Sequence, residues 1–357
     1  MNKKIIALAV TAAAFGTQTH AVELYNDNGS TFSIGGHVSV SAKGNSGDVY
    51  NSDSKAFESG GTDIIANSPR INFNATQDLG NGFTADAKGE WSLNYLDGGA
   101  NSFTTRLGYI GVTHETFGRA VAGTQWSPYY DVAGIADMPI AFANDFLYDN
   151  HGALGTGRAE NMVSYRNDIQ LGDNLSIFGG LGWQDNATSG FDSRGQVAVG
   201  ANFADFMVGY SYNAGDRTNG VIGTKEATSH ALSAKYGSYG NGLYVAAVYT
   251  MNEYMHGTSN YNTNAVLAND IALKDSDGIE FIAAYAFANS LNLSINYESV
   301  ESSDKVADGT VYSQMAFQAE YNITPKFVTF AGYQVDLGSD LYEKENDMWN
   351  MGVRYYL

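Results

Sequence analysis

Short segments in which every second residue is apolar run along most of this chain, and they limit the folds open to it. Residues 291–298 (LNLSINYE) alternate apolar and polar side chains, as do residues 196–203, 279–287 and 349–357. A period of two places successive side chains on opposite faces of a β-strand. The sequence therefore predicts an all-β protein whose strands each have one apolar face.

The breaks between these segments alternate between short turns and long loops. Short breaks fall at residues 80–82, 117–118, 171–174, 204–205, 238–242, 288–289 and 323–325. Long breaks fall near residues 44–67, 96–102, 127–158, 186–193, 214–228, 252–277, 300–311 and 337–347. Seven turns and eight loops connect sixteen strands. An even number of strands with short turns at one end and long loops at the other is typical of outer-membrane barrels.

A soluble sandwich would show the same alternation, with its apolar face turned towards a core. In a bilayer the sheet must close on itself, because lipid offers backbone groups no hydrogen bonds, and the apolar face turns outward. Aromatic residues beside the short turns favour the membrane, where they form a girdle. These are Phe83, Phe117, Phe203, Phe206, Tyr239, Phe287, Tyr321, Phe327 and Tyr355. We therefore expect a 16-stranded antiparallel transmembrane β-barrel.

Composition narrows the classes of protein further. Residues 1–21 have a basic start, an apolar run and a small-x-small end, which predicts a secretory signal peptide and a mature chain of residues 22–357. No later apolar run is long enough for a transmembrane helix. The chain has no cysteine and a net charge of −19, which argues against thiolate chemistry and against binding nucleic acid. We expect no cofactor and no metal site.

The segment Ser127 to Arg158 follows neither a strand nor a helix period. It contains Pro128 and Pro139 and, in an uneven apolar setting, the acids Asp137, Asp145 and Asp149. A structureless run of this length inside a compact domain usually means either a wrong assignment of elements or a functional loop, and we interpret it as functional. Sixteen strands leave an aqueous channel, which an inward-folded loop must narrow. We therefore interpret this third loop as the segment that sets the width and charge of a pore.

Several motifs, in order along the mature chain, resemble the trimeric general diffusion porins of Gram-negative bacteria. They are residues 22–29 (VELYNDNG), 105–111 (TRLGYIG), 130–134 (YDVAG) with 137–139 (DMP), 164–167 (SYRN) and the end Asn350-x-Gly352-x-x-Tyr355-x-Leu357. The signal peptide and mature start look most like porins of the Vibrio group. Two features differ from the family pattern. The last residue is Leu357 instead of Phe, and the usual loop glutamate is replaced by Ala141 or Ile140, with Asp145 or Asp149 as its substitute.

The resemblance implies a constriction in which loop acids face basic residues on the wall. Alternation places His37, Arg70 and Arg106 on the polar face, with Arg106 and Gly108 opposing Leu107 and Tyr109, and Arg158 closes the loop. By resemblance these four occupy the family's basic cluster, and the loop acids Asp137 and Asp145 complete the constriction. His37 stands where the family has lysine, so we expect one wall charge to depend on pH near about 6.5.

The resemblance also implies function and partners. We expect an outer membrane porin of a Gram-negative bacterium that lets small hydrophilic solutes and ions diffuse passively, with a weak preference for cations. Its partners would be two further copies in a homotrimer, outer membrane lipid and lipopolysaccharide. The barrel-insertion machinery would read the C-terminal signal through Gly352, Tyr355 and Leu357.

Three other functions stay open. A substrate-selective porin for oligosaccharides would use the aromatic residues in and beside the third loop as a slide. An outer-membrane enzyme is disfavoured, because the histidines are scattered singly without a metal or triad spacing. An adhesin or surface receptor could display the long loop 252–277.

Overall fold

The computed structural model describes residues 21–45, 48–51, 56–96, 103–148, 150–185, 190–220, 223–257, 272–305, 307–340 and 346–357. The predicted signal peptide, except for Ala21, lies outside these residues, and so does Asp149. Neither of the two α-helices described below is long and apolar enough to cross a membrane.

Twenty strands and four short helical segments make up the described chain. The strands are β1 (Val22–Asp27), β2 (Ser30–Asn45), β3 (Asp48–Asn51), β4 (Ala56–Ser59), β5 (Thr62–Ala66), β6 (Arg70–Gly80), β7 (Phe83–Leu93), β8 (Phe103–His114), β9 (Gly118–Trp126), β10 (Arg158–Gln170), β11 (Leu175–Gln184), β12 (Phe191–Phe203), β13 (Phe206–Asn219), β14 (Gly223–Ser238), β15 (Asn241–Glu253), β16 (Asp275–Ala286), β17 (Leu291–Ser302), β18 (Gly309–Thr324), β19 (Phe327–Asp336) and β20 (Met348–Tyr356). The helical segments are α1 (Pro128–Ala133), α2 (His151–Leu154) and the 3₁₀ helices Gly134–Ala136 and Phe146–Tyr148.

Sixteen of these strands, β2 and β6 to β20, form a closed antiparallel barrel. From β6 onward each strand pairs with its successor, and β20 returns to pair with β2 from His37–Tyr356 to Asn45–Met348. The amide of Leu357 donates to the carbonyl of Gly36 at 3.1 Å and extends this seam by one residue. The shorter β5 continues the line of β6 along β2, and β1 occupies the edge of β2 below β20. The predicted strand number and closure are confirmed.

The two faces of the wall have the polarity predicted for a membrane barrel. On β17 the polar side chains are buried, with Asn292 6% and Glu298 1% exposed, whereas Leu293 between them is 43% exposed. The apolar row 279–287 on β16 is likewise exposed at its large residues. Large apolar side chains thus cover the outside of the barrel, where hydrocarbon would surround them, and polar side chains cover the inside.

All seven predicted short turns lie between consecutive barrel strands. One predicted long loop, residues 214–228, is wrong, because β13 and β14 continue as a paired ribbon as far as Asn219 and Gly223. The guanidinium of Arg217 on this ribbon donates to the carbonyls of Tyr254 and Met255 at 3.1 and 2.9 Å. The ribbon thereby supports the chain that follows β15, which explains why it extends beyond the last apolar pair.

Most residues of the predicted aromatic girdle lie on the outer surface of the barrel. Phe117 and Phe203, for example, are more than 60% exposed on the outer surface. Tyr239 differs, because its ring lies 5.9 Å from that of buried Tyr244 and packs against the cluster inside the barrel. Its position in the turn between β14 and β15 frees it from strand alternation, so sequence period could not place it.

Candidate functional site

The central segment, residues 127–157, begins with a capped helix. The Ser127 hydroxyl accepts from the Tyr130 amide at 3.0 Å, and Pro128 occupies the first turn of α1, where its missing N–H costs nothing. The Tyr129 hydroxyl lies 2.7 Å from that of Ser229 on β14. Asp131 forms an ion pair with Arg166 on β10 at 2.5 Å. Helix α1 is therefore fixed to the polar face of the wall at several points.

The middle of the segment is tied to β17 and β18 through its backbone. The amide of Ile140 donates to the Glu320 carboxylate at 2.8 Å. The side chain of Gln318 accepts from the Phe142 amide at 2.8 Å and donates to the Phe142 carbonyl at 2.7 Å, and Asn296 donates to that same carbonyl at 3.0 Å. A segment without regular structure satisfies its backbone here through side chains of the wall.

Beyond Asn144 the segment rests on Glu298 and on glycines. The Glu298 carboxylate accepts from the amides of Asp145 and Phe146 at 2.8 and 3.3 Å. A Cβ atom at Gly278 would lie 2.7 Å from the Phe146 ring, and one at Gly332 would lie 2.9 Å from the Phe142 ring. The wall is therefore shaped to receive the two phenylalanines, and any side chain at these glycines would displace them.

A cluster of basic side chains surrounds Glu90 on another part of the wall. The Glu90 carboxylate lies 3.0 Å from Arg106 Nε, 3.6 Å from Lys88 Nζ and 3.8 Å from Arg70 Nη1. Arg106, Arg354 and Arg158 also interact electrostatically with Arg70. Positive charge in this cluster exceeds the single carboxylate, so the basic wall carries a net positive charge.

Arg106 reaches this cluster for a different reason from the one that alternation predicts. The register of β7 and β8 shifts there, because Glu90 pairs with Leu107 and Trp91 with Thr105, which leaves Arg106 as an extra residue in a β-bulge. Leu107, expected to face lipid, is 2% exposed and lies beside Glu90, so its predicted orientation is wrong. A bulge re-aims a side chain, and here it turns the guanidinium towards Glu90.

Arg158 lies at the junction of the central segment with β10. Its guanidinium lies 5.8 Å from the centre of the Trp126 ring, and its Nη2 lies 3.1 Å from Nε2 of His151 on α2. His37 on β2 is 6% exposed, and its Nε2 lies 2.9 Å from the Ser68 carbonyl oxygen. His37 thus borders the basic cluster but presents almost no surface to water.

The acids of the central segment occupy different surroundings. Asp137 accepts hydrogen bonds from the hydroxyls of Tyr130 and Tyr148, and burial raises its pKa although both bonds and the nearby Arg70 and Arg158 lower it. Asp145 is exposed to water but enclosed by the barrel. The loss of bulk water around it, and secondarily Asp137, raise its pKa to about 6, while Lys43 lowers it.

The structure separates the residues of the predicted site into two groups. His37, Arg70, Arg106 and Arg158 lie around the basic wall, whereas Asp137 and Asp145 lie on the central segment. Sequence reasoning did not select Glu90, Arg354, Glu280, Glu298 and Glu320, although Arg354 and Glu298 stand at polar positions of clear alternation. Within the described ranges, no three His, Asp or Glu side chains are arranged to hold a metal ion.

A closed barrel with an apolar outside, a polar inside and a loop docked on its inner face defines an outer-membrane channel protein. A family model for Gram-negative porins matches residues 6–341. The chain therefore belongs to the Gram-negative porin family, whose members are channels of the outer membrane, and the protein is located in that membrane.

Individual relatives agree over nearly the full length. "Porin-like protein L" of Photobacterium profundum is 26% identical over 376 aligned residues, which cover 99% of each chain. Among solved structures, OmpF of Salmonella typhi in complex with daunomycin has a TM-score of 0.74 at 20% identity, covering 94% of this chain and 100% of that one. OmpT of Vibrio cholerae in its trimer form has a TM-score of 0.67 at 18% identity, covering 92% and 100%.

Proposed function

We propose that this porin passes small hydrophilic solutes and ions through a constriction between the central segment and the basic wall, with a weak preference for cations. The observation that carries the proposal is the separation of charge. Asp137 and Asp145 lie on the docked segment, and Arg70, Arg106 and Arg158 lie on the wall around Glu90. Rings of charge filter ions by sign, so opposing groups of similar size leave only a small net preference.

The direction of that preference follows from the rest of the chain. Acidic residues outnumber basic ones by 38 to 19, so the field of the whole chain attracts cations. The basic wall opposes this attraction locally and keeps the preference weak. The test is the reversal potential of the refolded protein in a planar bilayer under a salt gradient. A potential of cation sign supports the proposal, and one of anion sign means that the basic wall outweighs the acidic excess of the chain.

The oligosaccharide alternative needs aromatic faces open to the solute. Tyr129, Tyr130, Phe142 and Phe146 are each buried to 7% exposure or less. Trp126 stacks on Tyr130 at 4.3 Å between ring centres. These rings pack the central segment against the wall, which favours general diffusion over a sugar slide.

Assembly as a homotrimer would use the outer face near the first strands. Outward-facing residues on β7 and β9 are small, with Ala85, Ala87 and Gly89 on β7 and Ala120 and Ala122 on β9, and β8 between them exposes the larger apolar Ile110 and Val112. Such an apolar surface with small residues beside larger ones suits the close packing of a second wall. Semi-native electrophoresis before and after heating tests this proposal, since a trimer runs at about three times the monomer mass.

The C-terminal signal and the lipid partners belong to the same proposal. Tyr355 is 44% exposed on the outer surface of β20, where an insertion factor or a lipid could contact it. A Cβ atom at Gly352 would lie 2.5 Å from that of Ser41, so the glycine serves the β2–β20 seam. Lipopolysaccharide would surround the loop end of the barrel. The loop proposed for display in an adhesin lies outside the described residues from 258 to 271.

A further inference from the structure

A cavity of about 380 Å³ opens between α2 and the wall strands β7 to β10. Its lining contains two guanidinium groups, those of Arg106 and Arg158, together with His151 and Glu160. Four hydroxyl-bearing residues complete it, namely Ser92, Thr104, Thr105 and Thr124. A volume in this range is typical of sites for small molecules, and the convergence of so many polar groups is what fixes the orientation of a ligand.

The guanidinium of Arg158 has spare hydrogen-bonding capacity. Among the described residues no carboxylate lies within ion-pair distance of it, whereas Arg106 is 3.0 Å from Glu90. Its Nε is buried without a hydrogen-bond partner. Because Arg158 lines the cavity and no ion pair would have to break, an anionic ligand that bonds to this guanidinium would gain more than one at an arginine already paired with a carboxylate.

His151 holds this guanidinium in place. Its Nδ1 lies 3.1 Å from the Tyr148 carbonyl oxygen, and its Nε2 lies 3.1 Å from Arg158 Nη2. A carbonyl only accepts and a guanidinium only donates, so the ring must be neutral, with its proton on Nδ1. Burial and the adjacent Arg158 lower the pKa of His151 to about 4, which agrees with this assignment. His151 is thus a fixed acceptor at neutral pH and adds no charge of its own.

Glu160 decides which anions the cavity suits. Its carboxylate borders α2, since a Cβ atom at Gly152 would lie 2.7 Å from Glu160 Oε1. A carboxylate repels a bare anion but accepts hydrogen bonds from hydroxyl groups. The threonine and serine hydroxyls can both donate and accept. The cavity therefore favours a ligand that has an anionic end and several hydroxyl groups.

We propose that this cavity is a binding subsite for hydroxylated anions of the sugar-phosphate class, with Arg158 and Arg106 binding the phosphate and Glu160 accepting a sugar hydroxyl. Guanidinium groups bind phosphate oxygens in pairs, which a compact ion such as chloride cannot exploit. His151 is a positioning residue that acts through Arg158. The inference rests on the proposed water-filled channel, because the ligand reaches the cavity through the lumen.

The test measures current block in planar bilayers, with hexose 6-phosphate, inorganic phosphate and glucose added separately to potassium chloride. Hexose 6-phosphate should block at a concentration roughly tenfold lower than inorganic phosphate, and glucose should not block in that range. Arg158→Gln should raise the blocking concentration roughly tenfold. Lys274→Gln, which removes an equal charge from an exposed ion pair with Asp275, should leave it unchanged.

The positioning role of His151 has its own readout. His151→Phe should weaken the block, whereas His151→Gln, whose amide oxygen can accept from Arg158, should restore most of it. Equal block by the two phosphates, or block unaffected by Arg158→Gln, overturns the subsite. Normal conductance without block rejects the subsite alone, while absence of conductance in potassium chloride rejects the channel itself.

Discussion

The side-chain amide of Gln318 on β18 forms two hydrogen bonds with the backbone of Phe142. Its oxygen accepts from the Phe142 N–H at 2.8 Å, and its nitrogen donates to the Phe142 carbonyl at 2.7 Å. This is the pairing that a neighbouring strand would offer, supplied by one side chain. Gln318 Nε2 also donates to Asn296 Oδ1 at 2.9 Å, and this bond fixes the Gln318 side chain to β17. The middle of the central segment is therefore fixed to the wall.

Replacing Gln318 by leucine should loosen this part of the segment. The substitution leaves the buried N–H of Phe142 without a partner, at a cost of about 1–3 kcal/mol, while the Phe142 carbonyl keeps the bond from Asn296. We expect a lower unfolding temperature and noisier open-channel current. Gln170→Leu, at the exposed end of β10, is the matched control. Quiet wild-type current in Gln318→Leu would show that Gln318 does not restrain the segment.

The wall glycines beneath the central segment, Gly278 and Gly332, lead to a second prediction. Gly278→Ala places a methyl group 2.6 Å from Thr250 Oγ1 and 2.7 Å from the Phe146 ring and should destabilise the protein by about 1–3 kcal/mol. Gly195→Ala, on β12, adds its methyl group where nothing lies within 4 Å and should be nearly neutral. Denaturant unfolding of the two variants gives the comparison. Equal stability would mean that Phe146 moves aside at no cost.

Removing Arg106 should make the pore more cation-preferring. Arg106→Ala leaves Glu90 without its nearest cation, which lies 3.0 Å away. One unit charge about 8 Å from a permeating ion in water changes its energy by about 0.5 kcal/mol, roughly a twofold change in occupancy. Cation occupancy rises and anion occupancy falls by that factor, so we expect the cation-to-anion permeability ratio to rise roughly fourfold and the conductance to increase. Unchanged selectivity, with Lys274→Ala as the charge control, would remove Arg106 from the constriction.

The cation preference should decline as the solution is acidified. The pKa of Asp145 is raised to about 6, so its carboxyl is charged above that pH and neutral below it. The permeability ratio should therefore fall between about pH 7 and pH 5, a range in which an ordinary aspartate stays ionised. Asp145→Asn should abolish this step, and Asp205→Asn, in an exposed turn, should retain it. A full step in Asp145→Asn would assign the titration to another group, such as Asp137.

Alternation predicted the barrel because it follows from covalent geometry. Every second residue of a strand faces one side, so Leu293 and Asn292 could be placed before any contact was known. The method failed where a bulge inserts one residue, as at Arg106 beside Leu107. The local sequence does not indicate this shift of register, because the shift depends on which residue of β7 pairs with which residue of β8.

The site was predictable as a set of residue types but not as an arrangement. The position of Arg158 after the central segment and of Arg70 on a polar face identified both as candidates. Sequence analysis did not identify Glu90, the carboxylate around which these basic residues lie, because a glutamate at a polar strand position cannot be distinguished from a solvated side chain. The sequence predicts that the pH-sensitive group is His37, which is buried in the structure, and it gives no sign that surroundings on the loop raise the pKa of Asp145 to about 6. Titration depends on surroundings that come from distant strands.

The glycines beneath the central segment also mean that tolerance to substitution differs around the barrel. Part of the wall can accept new side chains, and the part under the segment cannot. Enlarging Gly278 or Gly332 would push Phe146 or Phe142 off the wall, so the strands under the segment accept few substitutions. Ser92 and Thr104 are not packed against the central segment in this way, because they line the open cavity beside the basic wall. Changes in solute choice among descendants of this chain would therefore accumulate at positions such as Ser92 and Thr104, at less risk to folding than changes beneath the central segment.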